Sequence, residues 1–115
     1  LPPDLMKGVW IEPKWHQCKV MPDDFTRTFK MLDVMARRDY LAVESASREW
    51  LEKTPESSAL WRHFAPVALS NVLISLAREE RWGDVITAEK VLGGNVASKG
   101  AYLQQRLFLK AMAIN

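Results

Sequence analysis

His16 and Cys18, in the run KWHQCK, are the residues that most directly suggest chemistry, since imidazole and thiolate are both good zinc ligands. A closed structural site needs about four such ligands, and the chain adds only His63, with no second cysteine. A Cys/His nucleophile is no better supported: two positions of separation establish no mutual geometry, and no oxyanion-binding element accompanies the pair. Glu79-Glu80 with Asp84, and Asp23-Asp24 with Asp33, are close carboxylates. They fall at expected helix ends and on polar faces, where capping and solvation account for them, whereas a catalytic pair sits in a pocket that perturbs its ionisation. Gly93-Gly94 followed by Lys99 lacks the spacing of a phosphate loop, and no strand precedes it. No catalytic residue, cofactor or metal is therefore expected.

The bulk properties suit a small folded domain. At 115 residues and 13.2 kDa the chain can bury one core. With 48% hydrophobic and 26% charged residues it is far from the composition that stays disordered. The net charge of +2 is small and the signs are interspersed, six basic against six acidic side chains between Asp24 and Pro55, as on a solvated helix surface. Only the last segment is one-signed, with Lys99, Arg106 and Lys110 and no carboxylate. Three charges are too few for a DNA site, so nucleic acid is not the expected partner. No apolar run reaches the 18 to 20 residues of a membrane span. One cysteine excludes an internal disulfide and leaves the compartment open. The start at Leu1 and the stop at Asn115, directly after an apolar run, suggest a domain cut from a longer protein.

Whatever the chain does must be positioned by helices. Residues 1–22 hold four prolines, which keep any helix short, while Leu5, Met6, Val9, Trp10, Ile11 and Trp15 are too many apolar groups for a solvated linker. This lead-in is expected to lie on the body. Residues 23–115 form the helical domain. Asp23 should cap a first helix whose apolar stripe is Phe25, Phe29, Leu32 and Ala36, widened by Met31, Val34 and Met35. Asp39 should cap a second from about Tyr40 to Lys53, with Tyr40, Val43, Ala46 and Trp50 on one face, and TPESS should break the chain. Pro66 leaves two readings: a short turn over 58–64 followed by a new helix with Pro66 in its first turn, or one long kinked helix. The first is the expectation. A fourth helix should run from about Gly83 to Leu92 and end in left-handed glycine at Gly93-Gly94. A fifth, from about Ser98 to Ile114, carries Leu103, Leu107, Ala111 and Ile114. No strand is expected.

Positions 42 apart share one apolar template. Tyr40, Val43, Ala46 and Trp50 match Trp82, Val85, Ala88 and Leu92, while Phe25, Met31, Leu32, Val34 and Met35 match Val67, Leu73, Ile74, Leu76 and Ala77. One hairpin cannot bury both its stripes, so two in succession (23–55 and 56–94), closed by a last helix (95–115), make an all-α stack of antiparallel hairpins.

This arrangement resembles the tetratricopeptide family of helix-turn-helix repeats. The likeness is carried by RRDYLAVESASREWLEKTP, where Asp39-Tyr40 stands at the family's acidic-then-tyrosine position and Pro55 follows Tyr40 by fifteen residues. Leu69, Val72, Leu76 and Trp82 take similar places in the second unit. The departures are a period of 42 against about 34 in the family, Met31 and Leu73 where a small residue is usual, Lys30 for leucine, and Val43 and Val85 for alanine.

The resemblance implies a non-enzymatic interaction or scaffold module whose first helices line a groove for an extended peptide or amphipathic helix. The groove positions it implies are Phe25, Thr28, Leu32 and Met35, then Val67, Ser70, Asn71, Ile74 and Arg78. They are mostly apolar, and the family's carboxylate clamp is not evident, so an apolar or amphipathic ligand is implied. Of the five tryptophans, Trp50 and Trp82 should be buried between hairpins, while Trp61, with Trp10 and Trp15, lies outside the template and is left with two readings, an interface anchor or packing of the lead-in on the body. Two alternatives stand beside this one. The chain could be an accessory or oligomerising domain of a larger catalytic or membrane protein, with bare hydrophobic surface around its last helix. It could also be a helical nucleic-acid binder using Arg37, Arg38, Lys99, Arg106 and Lys110.

Overall fold

Two helix-to-helix turns built on one backbone pattern organise the protein, for which a computed structural model describes residues 21–115. The lead-in, with Trp10, Trp15, His16 and Cys18, lies outside the described residues. Five helices follow in order: α1 Pro22–Ala36, α2 Tyr40–Lys53, α3 Trp61–Arg78, α4 Trp82–Gly93 and α5 Gly100–Ile114. Among the described residues there is no strand, and the class is all-α. α1 packs on α2, α2 on α3, α3 on α4, and α5 lies against both α3 and α4.

Each hairpin turn closes in the same way. Asp39 N–H donates to the Val34 carbonyl and Arg38 N–H to that of Met35, and Arg81 N–H to Leu76 and Glu80 N–H to Ala77 repeat both bonds 42 residues on. These paired bonds are the Schellman closure of a helix C-terminus. Asp39 then caps α2 through its side chain, which accepts from Ala42 N–H at 3.2 Å, and Tyr40 and Trp82 are each the first residue of their helix.

The core runs through both hairpins. Met31, Trp50, Leu69, Leu73, Leu76 and Val85 are all at most 1% exposed. Burial repeats with the turns: Met31 and Leu73, Val43 and Val85, and Ala46 and Ala88 are buried pairs 42 apart.

Several details differ from the sequence expectations. α1 begins two residues earlier, with Met21 in place of Asp23 before its first turn, Pro22 at its first position and no side-chain cap; proline's fixed φ suits that position and its missing N–H is lost there at no cost. The buried face of α1 is Asp24, Thr28 and Met31, not the Phe25, Phe29, Leu32 and Ala36 stripe. Thr28 is buried with a partner, the Trp50 indole N–H, which donates to Thr28 Oγ1 at 2.7 Å; Asp24 Oδ1 pairs with Arg27, while Asp24 Oδ2 is buried with no hydrogen-bond partner among the described residues. Trp82, expected to be buried between the hairpins, is half-buried, and Tyr40, expected on the apolar face of α2, is exposed.

α3 passes straight through Pro66 instead of beginning just before it. The carbonyl that loses its donor belongs to Arg62, an exposed residue of the first turn, where water can serve. Gly94 is right-handed, with φ −56°, so glycine ends α4 for a different reason. A Cβ on Gly93 would stand 2.8 Å from the Arg106 guanidinium and 3.0 Å from Glu89 Oε1. The inward residue of α5 is Leu109, while Leu103, Leu107 and Ile114 point away, 40%, 55% and 75% exposed.

Candidate functional site

Leu32 on α1 and Ile74 on α3 stand 42 residues apart in sequence and are both half-buried. Val67 is half-buried on the same side of α3 as Ile74, two helical turns away. Phe25 is half-buried and stacks on exposed Phe29 with ring centroids 6.2 Å apart.

The polar groove positions are largely consumed within the fold. Thr28 is buried beneath Trp50 and offers nothing to a partner. Asn71 donates from Nδ2 to Ser47 Oγ at 3.0 Å and to Met35 Sδ at 3.2 Å, tying α3 to α2 and α1 at once. Ser70 Oγ donates to Gln105 Oε1 at 2.5 Å, which fastens α5 to α3. Arg78 lies over the Tyr40 ring, 3.7 Å from its centroid, a cation–π contact between the ends of two helices. Its hydrogen bond and charge together hold the Tyr40 phenol below the ordinary range. What keeps apolar surface open, as the candidate strip, is Leu32 on α1 with Val67 and Ile74 on α3, and exposed Arg78 follows Ile74 by one turn.

Trp61 is half-buried and stacks on Trp50, centroids 5.5 Å apart. Its remaining surface opens on a depression of about 610 Å³ shared with His63, Pro66, Asn95, Lys99 and Tyr102.

Of the carboxylates that sequence spacing brings together, Asp24, Asp33, Glu79 and Asp84 are paired locally. Arg81 bonds Asp84 at 2.8 Å and Glu79 at 3.2 Å, and reaches Glu44 of α2 at 3.8 Å. Those bonds raise its already high basicity. Asp33 pairs with Arg37, and Asp24 with Arg27, whose guanidinium also donates to the Lys53 carbonyl and to Thr54. Lys30 lowers the Glu49 pKa through a hydrogen bond at 3.2 Å and its charge. Among the described residues no three of His, Cys, Asp and Glu gather where they could hold a metal ion. No described helix is long and apolar enough to cross a membrane.

Arg106, a basic residue of the one-signed tail, is turned inward. It makes bonds of 2.8 and 3.0 Å from Nε to the two oxygens of Glu89, and it donates to the carbonyls of Val96 and Gly93, each at 2.6 Å. Glu89 is itself 8% exposed. This knot joins α4, the connecting loop and α5, and no local pattern announces it, since its two halves are 17 residues apart. Of the five cations suggested for nucleic acid, Arg37 and Arg106 are thus spoken for, and Arg38, Lys99 and Lys110 remain exposed.

No family model matches the chain, and no curated protein and no solved structure matches it either.

Proposed function

We propose that this chain is a non-enzymatic, tetratricopeptide-like interaction module whose α1–α3 surface takes an extended or amphipathic helical segment of a partner protein. One observation carries the reading: Leu32 and Ile74 occupy the same place in two hairpins and keep apolar surface uncovered, while Thr28, Asn71 and Ser70 beside them are committed to internal bonds. Arg78 at its end, exposed on one side, suits a carboxylate or backbone carbonyl of the ligand.

Panning a peptide library on the 115-residue chain and measuring the recovered sequences against Leu32→Glu and Ile74→Glu tests this. A loss of about tenfold or more in both variants is expected, since a buried charge opposes an apolar contact. Undiminished binding by both variants, with thermal unfolding unchanged, rejects the surface.

A second reading, an accessory or self-associating domain, draws on the exposed face of α5, where Leu107, Phe108 and Ile114 are each more than half exposed. Apolar area of that kind marks contact surfaces.

A further inference from the structure

A groove of about 380 Å³ separates α4 from α5, with Ile86, Gly93, Gly94, Ile114, Lys90 and Lys110 among its lining residues. Two further charges line it, Glu89 and Arg106, but they satisfy each other at 2.6 to 3.0 Å and present no net charge to a ligand. The groove lining is therefore largely apolar, and Lys90 and Lys110 are its uncompensated charges. Among the described residues neither Lys90 nor Lys110 has an ion-pair partner within 4.0 Å. No Asp or Glu occurs between Asn95 and Asn115.

We propose that this groove docks an amphipathic helix of a partner protein, one whose apolar stripe is flanked by carboxylates. Three points select that occupant. Ile86 and Ile114 give the groove apolar lining from both helices, which the apolar stripe of a helix laid along it can cover. From Arg106 to Ile114 its α5 side is about 12 Å long, so it holds about two turns of a ligand helix. The charges then discriminate: a second copy laid on this groove would bring four unpaired lysine side chains together, a like-charge juxtaposition that association avoids, whereas carboxylates along the edges of the ligand's apolar stripe meet one each. The groove shares no residue with the α1–α3 strip, so the proposal goes beyond that reading and fails or stands separately from it.

The test uses the 115-residue chain and two labelled synthetic peptides of about 18 residues, a length that sustains helix in water. Both carry the same leucine stripe, flanked by Glu in one and by Lys in the other. Fluorescence anisotropy should show the Glu peptide binding about tenfold or more tightly than the Lys peptide, with the gap narrowing at high salt. The double variant Lys90→Glu/Lys110→Glu, whose altered side chains make no described ion pair, should reverse the order with its melting curve intact. Equal binding of the two peptides, no binding of either, or an unreversed order in the double variant overturns the proposal. So does loss of binding in Ile74→Glu, which would put the peptide on the α1–α3 strip. Sedimentation showing a dimer that Ile114→Ser dissolves would replace the proposed occupant with a second copy.

Discussion

Arg38 and Glu80, 42 residues apart, both hold the left-handed backbone conformation, with φ of 56° and 58°. They sit at the same position of two identically bonded turns. A β-carbon in that conformation costs about 1 to 2 kcal/mol, and glycine is the usual occupant. Arg38→Gly and Glu80→Gly should each stabilise the fold by about 0.5 to 1 kcal/mol, the greater freedom of glycine in the unfolded chain offsetting part of the relief. Urea unfolding measures this. Destabilisation by both substitutions would mean that the turns are not held as described.

Trp50 is fully buried and its indole N–H ends on Thr28 Oγ1. Thr28→Val keeps the shape but leaves that donor unpaired in the core, at a cost of about 1 to 3 kcal/mol. Thr28→Ser, which retains the oxygen, should lose less. Equal losses for the two variants in chemical denaturation would assign the effect to packing alone.

The knot of Glu89 and Arg106 should behave as a coupled unit. Arg106→Leu leaves a carboxylate buried without its partner, and about 3 to 5 kcal/mol is expected. The Glu89→Leu/Arg106→Leu double variant should be more stable than either single one, because no uncompensated charge remains. Gly93→Ala should destabilise through the same knot, since its β-carbon would crowd the guanidinium at 2.8 Å. Additive losses in a double-mutant cycle would contradict the coupling.

Tyr40 supplies a pH signature. Arg78 lowers its phenol pKa from the ordinary 10.0, so the folded state favours the phenolate more than the unfolded state does. The resulting stabilisation is present above the ordinary phenol range and is lost as pH falls through the lowered value. Ultraviolet titration should find one of the two tyrosines ionising early, and Arg78→Gln should return it to its ordinary range. Two tyrosines titrating normally in the intact chain would contradict the contact.

The helices and their 42-residue period were legible because caps, prolines and apolar steps are local signals: Asp39 caps where its type says it should, and α2 stops before Pro55. The facing of α1 was not legible. Burying Asp24 and Thr28 depends on Arg27 and on an indole 22 positions away, and no hydropathy pattern marks either as an inward residue. Pro66 misleads for a related reason, since its cost depends on whether the Arg62 carbonyl reaches water. Of the candidate strip, Leu32, Val67 and Ile74 keep open surface, while Thr28, Ser70 and Asn71 were named by position and turn out to hold the helices together. Glu89 carried a readable hint, a carboxylate four residues from both buried Val85 and buried Gly93, which calls for a cation somewhere out of local range.

Methyl-resolved NMR of the chain titrated with a library-selected peptide tests most directly whether the α1–α3 strip is the binding surface. The Leu32, Val67 and Ile74 methyl signals should shift together while those of buried Leu69 and Val72 stay in place. Shifts confined to α5, or a peptide that binds without moving Leu32 and Ile74, would contradict it.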